Sequence, residues 1–415
     1  MTFAAADGRS QVCRSCGAPV DHVVLDLGRQ PLSNAYLRPD QVEDERLYPL
    51  CARLCTTCLL VQVEDVVAPQ EIFEDYAYFS SYSDTWVEHA RRFSEAMRDR
   101  FGLGPHSFVV EIASNDGYLL QHFVKAGVPV LGVEPARNVA AVAVEHGVPT
   151  WSRFFGRDTA AAVVAEHRRA DLVVANNVVA HVPDLNDLVA GFADLVAPDG
   201  VVSIEVPHLL RLVVETQFDT IYHEHYSYFS LLAMEHVLER NGLVVFDVDE
   251  LPTHGGSLRV LAASRAAGRP VTGAVATVRA AERDASLDRP GGFEGFQERV
   301  RTCRDGLLAY LHDARDRGRR VVAYGAAAKG NTLLNHAGVT TDLIDYVVDR
   351  NPHKQGLLLP GSHLPVHDPE RLRRDRPDVV LILPWNLRRE IVGQLADIRG
   401  WGGRFAVAVP TMDEF

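Results

Sequence analysis

Phe108-Val-Val-Glu-Ile-Ala-Ser-Asn-Asp-Gly117 decides the fold. A short apolar run, too brief for a buried helix, gives way to polar turn-formers and then to a helical pattern over 117–126. The same succession repeats outward from it. Apolar runs at 128–133, 171–175, 201–206 and 243–248 read as strands. Helical patterns fill 84–100, 138–146, 185–195 and 231–241. Strands alternating with helices make a mostly parallel sheet covered on both faces, with ligands gathering beyond the C-terminal strand ends. Glu111, Ser114, Asn115, Asp116 and Gly117 therefore stand at a ligand mouth. Glu134 and Pro135 close the next strand, and Asn176 and Asn177 the one after.

A chain of 415 residues is too long for one core. We divide it into a small module at 1–72, a central α/β domain at 73–248 and a second, smaller α/β domain at 249–415. The last part has a long charged helix over 293–317 and strands at 321–324, 346–348, 379–383 and 405–409. Residues 266–290 read as a connector.

The formal charge is −13, which argues against a general nucleic-acid binder, since neutralising phosphates needs clustered basic residues. No run reaches the roughly 18 apolar residues that would cross a membrane. The first residues lack a basic segment followed by an apolar one, so a cytoplasmic enzyme is expected, and a monomer is compatible with the sequence. Of 42 basic residues only Lys125, Lys329 and Lys354 are lysine, and two of these fall in the C-terminal domain.

Five of the six cysteines lie in the first 58 residues. Cys13-Arg-Ser-Cys16 and Cys55-Thr-Thr-Cys58 are two CxxC knuckles, which together offer four thiolates to one tetrahedral zinc ion. Four thiolates leave no open position, so the zinc is expected to be structural. Cys51 is spare, and Cys303 has no assigned role.

Ile221-Tyr-His-Glu-His-Tyr-Ser-Tyr-Phe-Ser230 is the densest cluster of functional side chains. It follows the strand at 201–206 and so can reach the sheet mouth. A histidine in this stretch suits a general base near neutral pH, with Glu224, Tyr222 and a partner carbonyl to orient the ring or to stabilise an oxyanion. A metal pair at His223 and His225 is a minor alternative, since residues two apart share a face on a strand. His181 follows Asn176-Asn177 in the same region and is grouped with the catalytic candidates. In the C-terminal domain, Val321-Val-Ala-Tyr-Gly-Ala-Ala-Ala-Lys329-Gly-Asn331 reads as strand, turn and helix start. Its small residues admit a phosphate to the helix N-terminus, and Lys329, Asn331 and Lys354 are candidate substrate contacts. Thr253-His-Gly-Gly256-Ser-Leu-Arg259 is a further glycine turn without an assigned role.

Glu111 and Gly117 sit where S-adenosylmethionine (SAM)-dependent methyltransferases carry the acid and the last glycine of their first motif, although Ala113 and Asn115 replace the usual glycines. Glu134 is spaced to accept ribose hydroxyls. The sulfonium favours aromatic faces, which the stretch Tyr76 to Trp86 offers, and Tyr76 and Phe79 are candidate substrate contacts. A nicotinamide-dependent oxidoreductase would want a glycine triplet that is absent. An O- or N-methyltransferase is the nearer rival.

Taken in order, the paired CxxC, Glu-x-Ala-Ser-Asn-Asp-Gly, Tyr-His-Glu-His-Tyr-Ser-Tyr-Phe-Ser, Thr-His-Gly-Gly-Ser-Leu-Arg, Gly-Ala-Ala-Ala-Lys-Gly-Asn and Asp-Arg-Asn-Pro resemble the sugar C-methyltransferases of antibiotic deoxysugar pathways. The likeness covers nearly the whole chain. It implies a zinc-binding N-terminal module, a Rossmann-like class I SAM domain and a second Rossmann-like domain for the nucleotide sugar. It further implies methylation at C-3 of a dTDP-linked 4-keto-2,6-dideoxyhexose, sometimes 3-amino, with His225 as base and Tyr222 and Glu224 as its neighbours. The chemistry is coherent, because a C-4 ketone acidifies the C-3 proton and makes that carbon a nucleophile.

Overall fold

The computed structural model describes residues 11–67 and 79–415. Tyr76 and the expected boundary between 72 and 73 lie outside the described residues.

The central sheet has seven strands, in the order Leu243–Leu251, Ser257–Ser264, Val196–Pro207, Ala170–Asn176, Val109–Ile112, Val130–Val133 and Thr150–Trp151. From Val196–Pro207 to Thr150–Trp151 every pairing is parallel. Ser257–Ser264 is inserted antiparallel to both of its neighbours. All four residues of Val109–Ile112 are buried, as a strand covered on both faces requires. The helix Asp84–Phe101 starts where Ser83 Oγ accepts the N–H of Trp86 and stops at the left-handed Gly102.

The central sheet extends past the expected domain end at 248. The chain turns through Thr253–Gly255 and returns as Ser257–Ser264, because Val196–Pro207 would otherwise present an unpaired edge. The connector expected at 266–290 contains the helix Gly273–Asp284, whose Val275 and Val278 are buried in the same core.

The C-terminal sheet runs Val366–His367, Val347–Val348, Val321–Tyr324, Val379–Ile382, Arg404–Val407 and Asp413–Glu414, with only the last strand antiparallel. The helix Phe296–Asp316 buries Phe296, Val300, Cys303, Leu307 and Leu311, a stripe at helical spacing. Cys303 is thus a core residue, its thiol against the Ala408 carbonyl.

The N-terminal module is wedged between the two larger units. Its strands His22–Gln30 and Tyr48–Leu54 share an apolar cluster with the C-terminal domain, through Leu25, Leu54, Leu307 and Leu334. Its cysteine knuckles pack instead on the central domain, where Cys55 and Leu60 join Leu185 and Leu231. The fourth strand of its sheet, Ser227–Tyr228, belongs to the central chain.

Candidate active site and zinc centre

The two knuckles have the same backbone. Gly17 N donates to Cys13 O and Leu59 N to Cys55 O, both at 2.8 Å. Gly17 and Leu59 occupy matching left-handed positions, with φ of 74° and 64°. A leucine pays strain there, which a metal held by its neighbouring thiolate offsets. The sulfurs of Cys13, Cys16, Cys55 and Cys58 all lie within 4.8 Å of one another. Zn–S bonds of about 2.3 Å on tetrahedral axes would set them roughly 3.8 Å apart, so the four fit one zinc ion. Cys51 is half-buried on Tyr48–Leu54, and burial pushes its thiol up to about 11, as expected of a thiol that serves packing.

At the sheet mouth the turn after Val109–Ile112 is left-handed at Ala113, Asn115 and Gly117. A Cβ on Gly117 would meet Val148 Cγ2 at 2.9 Å. Glu134 clamps this turn: its carboxylate accepts Asn115 N and Ala136 N, each at 2.9 Å. Asn115 Oδ1 and Asp116 Oδ2 in turn accept the N–H groups of Ser80 and Ser81. Several buried polar atoms here have no hydrogen-bond partner among the described residues: Glu111 Oε2, Ser114 Oγ, Asp116 Oδ1, Asn176 Oδ1 and Asn177 Nδ2. Burial, with Glu134 and Asp116 nearby, raises the Glu111 carboxyl well above its usual range. Unpaired buried polar atoms of this kind are costly, and a ligand carrying hydroxyls, an ammonium and a carboxylate would satisfy them. The residues fit SAM.

The segment after Val196–Pro207 brings three of the four catalytic candidates into ring contact. His225 Nδ1 lies 2.9 Å from the Thr220 carbonyl, which can only accept, so Nδ1 carries the proton. Nε2 therefore holds the lone pair, and Tyr222 Oη–H donates to it at 2.8 Å. The Tyr222 ring lies 4.0 Å from the imidazole, and His181 meets it edge-on at 4.6 Å. Burial first, then His181, hold His225 well below the ordinary histidine range, and burial takes His181 to about 4.

Glu224 does not orient this ring, which corrects one expectation. Adjacent residues on the tight turn point apart, and Glu224 turns to the N-terminal module, where Asn34 donates to it from both its main chain and its amide. Burial raises its carboxyl to about 7. The ring is oriented by the Thr220 carbonyl instead. His223 faces away too, against the Pro49 carbonyl and the Tyr48 ring, so it is not paired with His225 around a metal.

In the C-terminal domain Lys329 donates to Asn386 Oδ1 at 2.9 Å and lies 4.8 Å from the Trp385 ring. Burial lowers its amine, and the buried Asp219 opposes that shift. Lys354 donates to the Ala326 carbonyl at 2.7 Å and sits over the ring of Tyr36, 5.0 Å away. The turn itself is less open to phosphate than its small residues suggest, since Asp349 already accepts the Ala326 N–H at 2.7 Å. Positive charge at this place comes from the two lysines. Asn331 is fully buried and its amide donates to the Ser33 carbonyl at 2.6 Å, which ties the C-terminal domain to the N-terminal module. Phe79 stacks on Tyr82 and on His353, bridging the central and C-terminal domains.

Residue-by-residue reading missed Asn34, Tyr36, Thr220 and a network around Glu205. That fully buried carboxylate lies 3.0 Å from His89 Nε2 and accepts Thr253 Oγ1–H at 3.0 Å and Arg259 Nη2–H at 2.9 Å. Trp86 stacks on His89 at 4.9 Å and meets His254 edge-on at 5.0 Å. In the sequence only the Thr-His-Gly-Gly turn and Trp86, at the end of the aromatic stretch, point to this network.

Family comparisons follow the same three-part division. Residues 13–73 match a zinc binding domain, 86–248 a methyltransferase domain and 252–410 a C-methyltransferase C-terminal domain. The C-methyltransferase NovU of Streptomyces niveus is 36% identical over 399 residues, covering 96% of this chain and 95% of that protein. Among solved structures, the magnesium protoporphyrin IX methyltransferase of Synechocystis PCC 6803 with bound SAM is 14% identical, covering 43% of this chain and 81% of that chain at a TM-score of 0.33. The Burkholderia thailandensis 1,6-didemethyltoxoflavin-N1-methyltransferase is 18% identical, covering 49% and 94% at a TM-score of 0.35. The sheet order, the mouth and the matched domains define a SAM-dependent methyltransferase with a structural zinc site. Within that class, this chain belongs to the C-methyltransferase family. Among the described residues no helix is long and apolar enough to cross a membrane.

Proposed function

We propose that this C-methyltransferase methylates C-3 of a dTDP-linked 4-keto-2,6-dideoxyhexose, with or without a 3-amino group, through an enolate. The observation that carries the reading is the tautomer of His225. The Thr220 carbonyl fixes the proton on Nδ1, and burial keeps the ring neutral, so a lone pair on Nε2 is presented at the sheet mouth at working pH. Swinging the Tyr222 hydroxyl off Nε2 frees the lone pair for the acidic C–H and the O–H for the ketone oxygen. His181 packs the imidazole edge-on and keeps it from turning.

SAM, when bound, supplies an electrophilic methyl to the carbanionic carbon. Glu134 would hold its ribose hydroxyls, with Asn115, Pro135 and Gly117 shaping the turn around it, and Glu111 and Asp116 would face its cationic groups. Ser114, Asn176 and Asn177 offer the remaining polar contacts. Lys329 and Lys354 would neutralise the diphosphate of the sugar nucleotide, and Phe79 would wall the crevice. Stable capture of both reactants between two domains suits an in-line transfer that requires contact within about 3–3.5 Å.

The test is mass spectrometry of products formed with isotopically labelled SAM and a panel of dTDP-4-keto sugars. Label on C-3 supports the reading, and label on C-5, the carbon on the other side of the ketone, overturns the assigned position. Label on oxygen or nitrogen overturns it in favour of O- or N-methylation.

A further inference from the structure

His254 stands in a conformation that few histidines adopt. Its φ is 55°, in the left-handed region, inside the turn that joins the two antiparallel strands of the central sheet. Such a backbone costs about 1–3 kcal/mol and survives where the surroundings over-determine it. They do so here. Thr253 Oγ1 is tied to Glu205 and the Thr253 carbonyl to Ser257 Oγ. The Gly255 carbonyl accepts the Gln217 amide at 2.7 Å, and the Gly256 carbonyl accepts His208 N at 3.0 Å. A Cβ on Gly255 would strike Trp385 at 2.5 Å, so the turn is pressed against the C-terminal domain.

The turn thus spends its backbone on presenting one side chain. The His254 ring touches Trp86 edge-on, and neither ring nitrogen has a hydrogen-bond partner among the described residues. Lys329, Glu205, His89 and His181 are its charged and titratable neighbours, and its own field reaches His225. Burial holds it neutral down to about 4. A neutral imidazole with an unspent N–H, beside the Lys329 amine, is a donor waiting for an electron-rich oxygen.

We propose that His254 is a second catalytic imidazole, which donates a hydrogen bond to the oxygen that gains charge as His225 removes the ring proton. No atom is transferred by it: the C–H pair stays on carbon and oxygen as the enolate, the proton goes to His225 Nε2, and His254 keeps its own. The proposal rests on the enolate reading above.

Glycine and asparagine are both at home at positive φ, so His254→Gly and His254→Asn leave the turn unstrained, and only asparagine keeps an N–H donor. The experiment follows deuterium uptake at C-3 of a dTDP-4-keto-2,6-dideoxyhexose from D2O, with S-adenosylhomocysteine in place of SAM, beside kcat and KM for methylation. His254→Gly should exchange and turn over about 100-fold more slowly, with SAM affinity unchanged, and His254→Asn should recover most of the loss. Exchange and kcat within twofold of wild type in His254→Gly, or an equal loss in both variants, would overturn the proposal. Absence of exchange in the wild-type enzyme would instead sink the enolate reading, and His254 as oxyanion donor with it.

Discussion

Val61 lies in register opposite Tyr228, so the last strand of the zinc module's sheet is a piece of the proposed catalytic loop. The attachment is repeated along the loop. Val63 N donates to the Tyr226 carbonyl, Arg14 lies over the Tyr226 ring, and Asn34 holds Glu224. Residues of the loop that face away from the reaction are thus fastened to the module, which leaves Tyr222 and His225 to face the mouth.

Metal removal should therefore affect turnover as well as stability. Cys55→Ser, or chelation, is expected to cost about 4 kcal/mol or more of stability and to lower kcat in proportion to lost zinc. SAM affinity should change little, since the Glu134 clamp lies in the central sheet. Atomic absorption, denaturant melts and initial rates check this together; full kcat in metal-free protein would contradict the coupling.

His225→Ala is expected to reduce kcat by about 100- to 10,000-fold, the range for loss of a general base, and to leave SAM binding intact. Tyr222→Phe should lower kcat without raising the methyl donor's Kd. Rates near wild type in either variant would remove that residue from the chemistry.

Glu134→Ala loses two hydrogen bonds to a charged acceptor that shape the turn, along with the expected ribose contacts. Titration calorimetry should show SAM affinity weakened by about 10- to 100-fold. Equal affinity would move the donor site elsewhere.

Acid sensitivity should be partly traceable to His181. Its folded pKa, about 4, lies below the ordinary 6.5 because of burial, so the unfolded chain takes up the proton first as pH falls. Its contribution to stability is therefore present above 6.5 and lost as pH falls toward 4. Glu224 acts in the opposite sense: raised to about 7, it favours the folded state below its ordinary 4.5 and loses that contribution as pH rises through 7. A difference experiment separates them. Between pH 7 and pH 5, His181→Asn should lose about 2 kcal/mol less stability than wild type, read from urea midpoints.

Asn331 and Lys329 should separate cleanly although they are two residues apart. Asn331→Ala is expected to cost about 1–3 kcal/mol of stability, because the Ser33 carbonyl loses its donor in the core, with KM for the sugar nucleotide unchanged. Lys329→Met should raise that KM by about tenfold or more. The reverse pattern would exchange their roles.

The strands that build the mouth were legible because each is buried on both faces and so reads as an unbroken apolar run, as Val109–Ile112 and Ala170–Asn176 do. Ser257–Ser264 was not: behind a Gly-Gly turn and carrying Arg259, it looks like the start of another unit until the sheet edge it pairs with is known. The run 221–230 was legible as a cluster of functional side chains, and the family likeness singled out His225 within it. Thr220 was invisible, since it acts through a backbone carbonyl that any residue supplies. Asn34 and Tyr36 reach the site from nearly two hundred residues away or more, and nothing in their local pattern marks them.

By itself the amino-acid sequence determined the zinc ligands and the alternating layers, because knuckle spacing and hydrophobic period are local properties. Only the tertiary structure decided which imidazole nitrogen bears the proton, that Glu224 answers to Asn34 and that His254 is held in a strained turn. Those outcomes depend on which carbonyl, carboxylate or ring is brought within about 3–5 Å by packing, a distance that no spacing along the chain encodes.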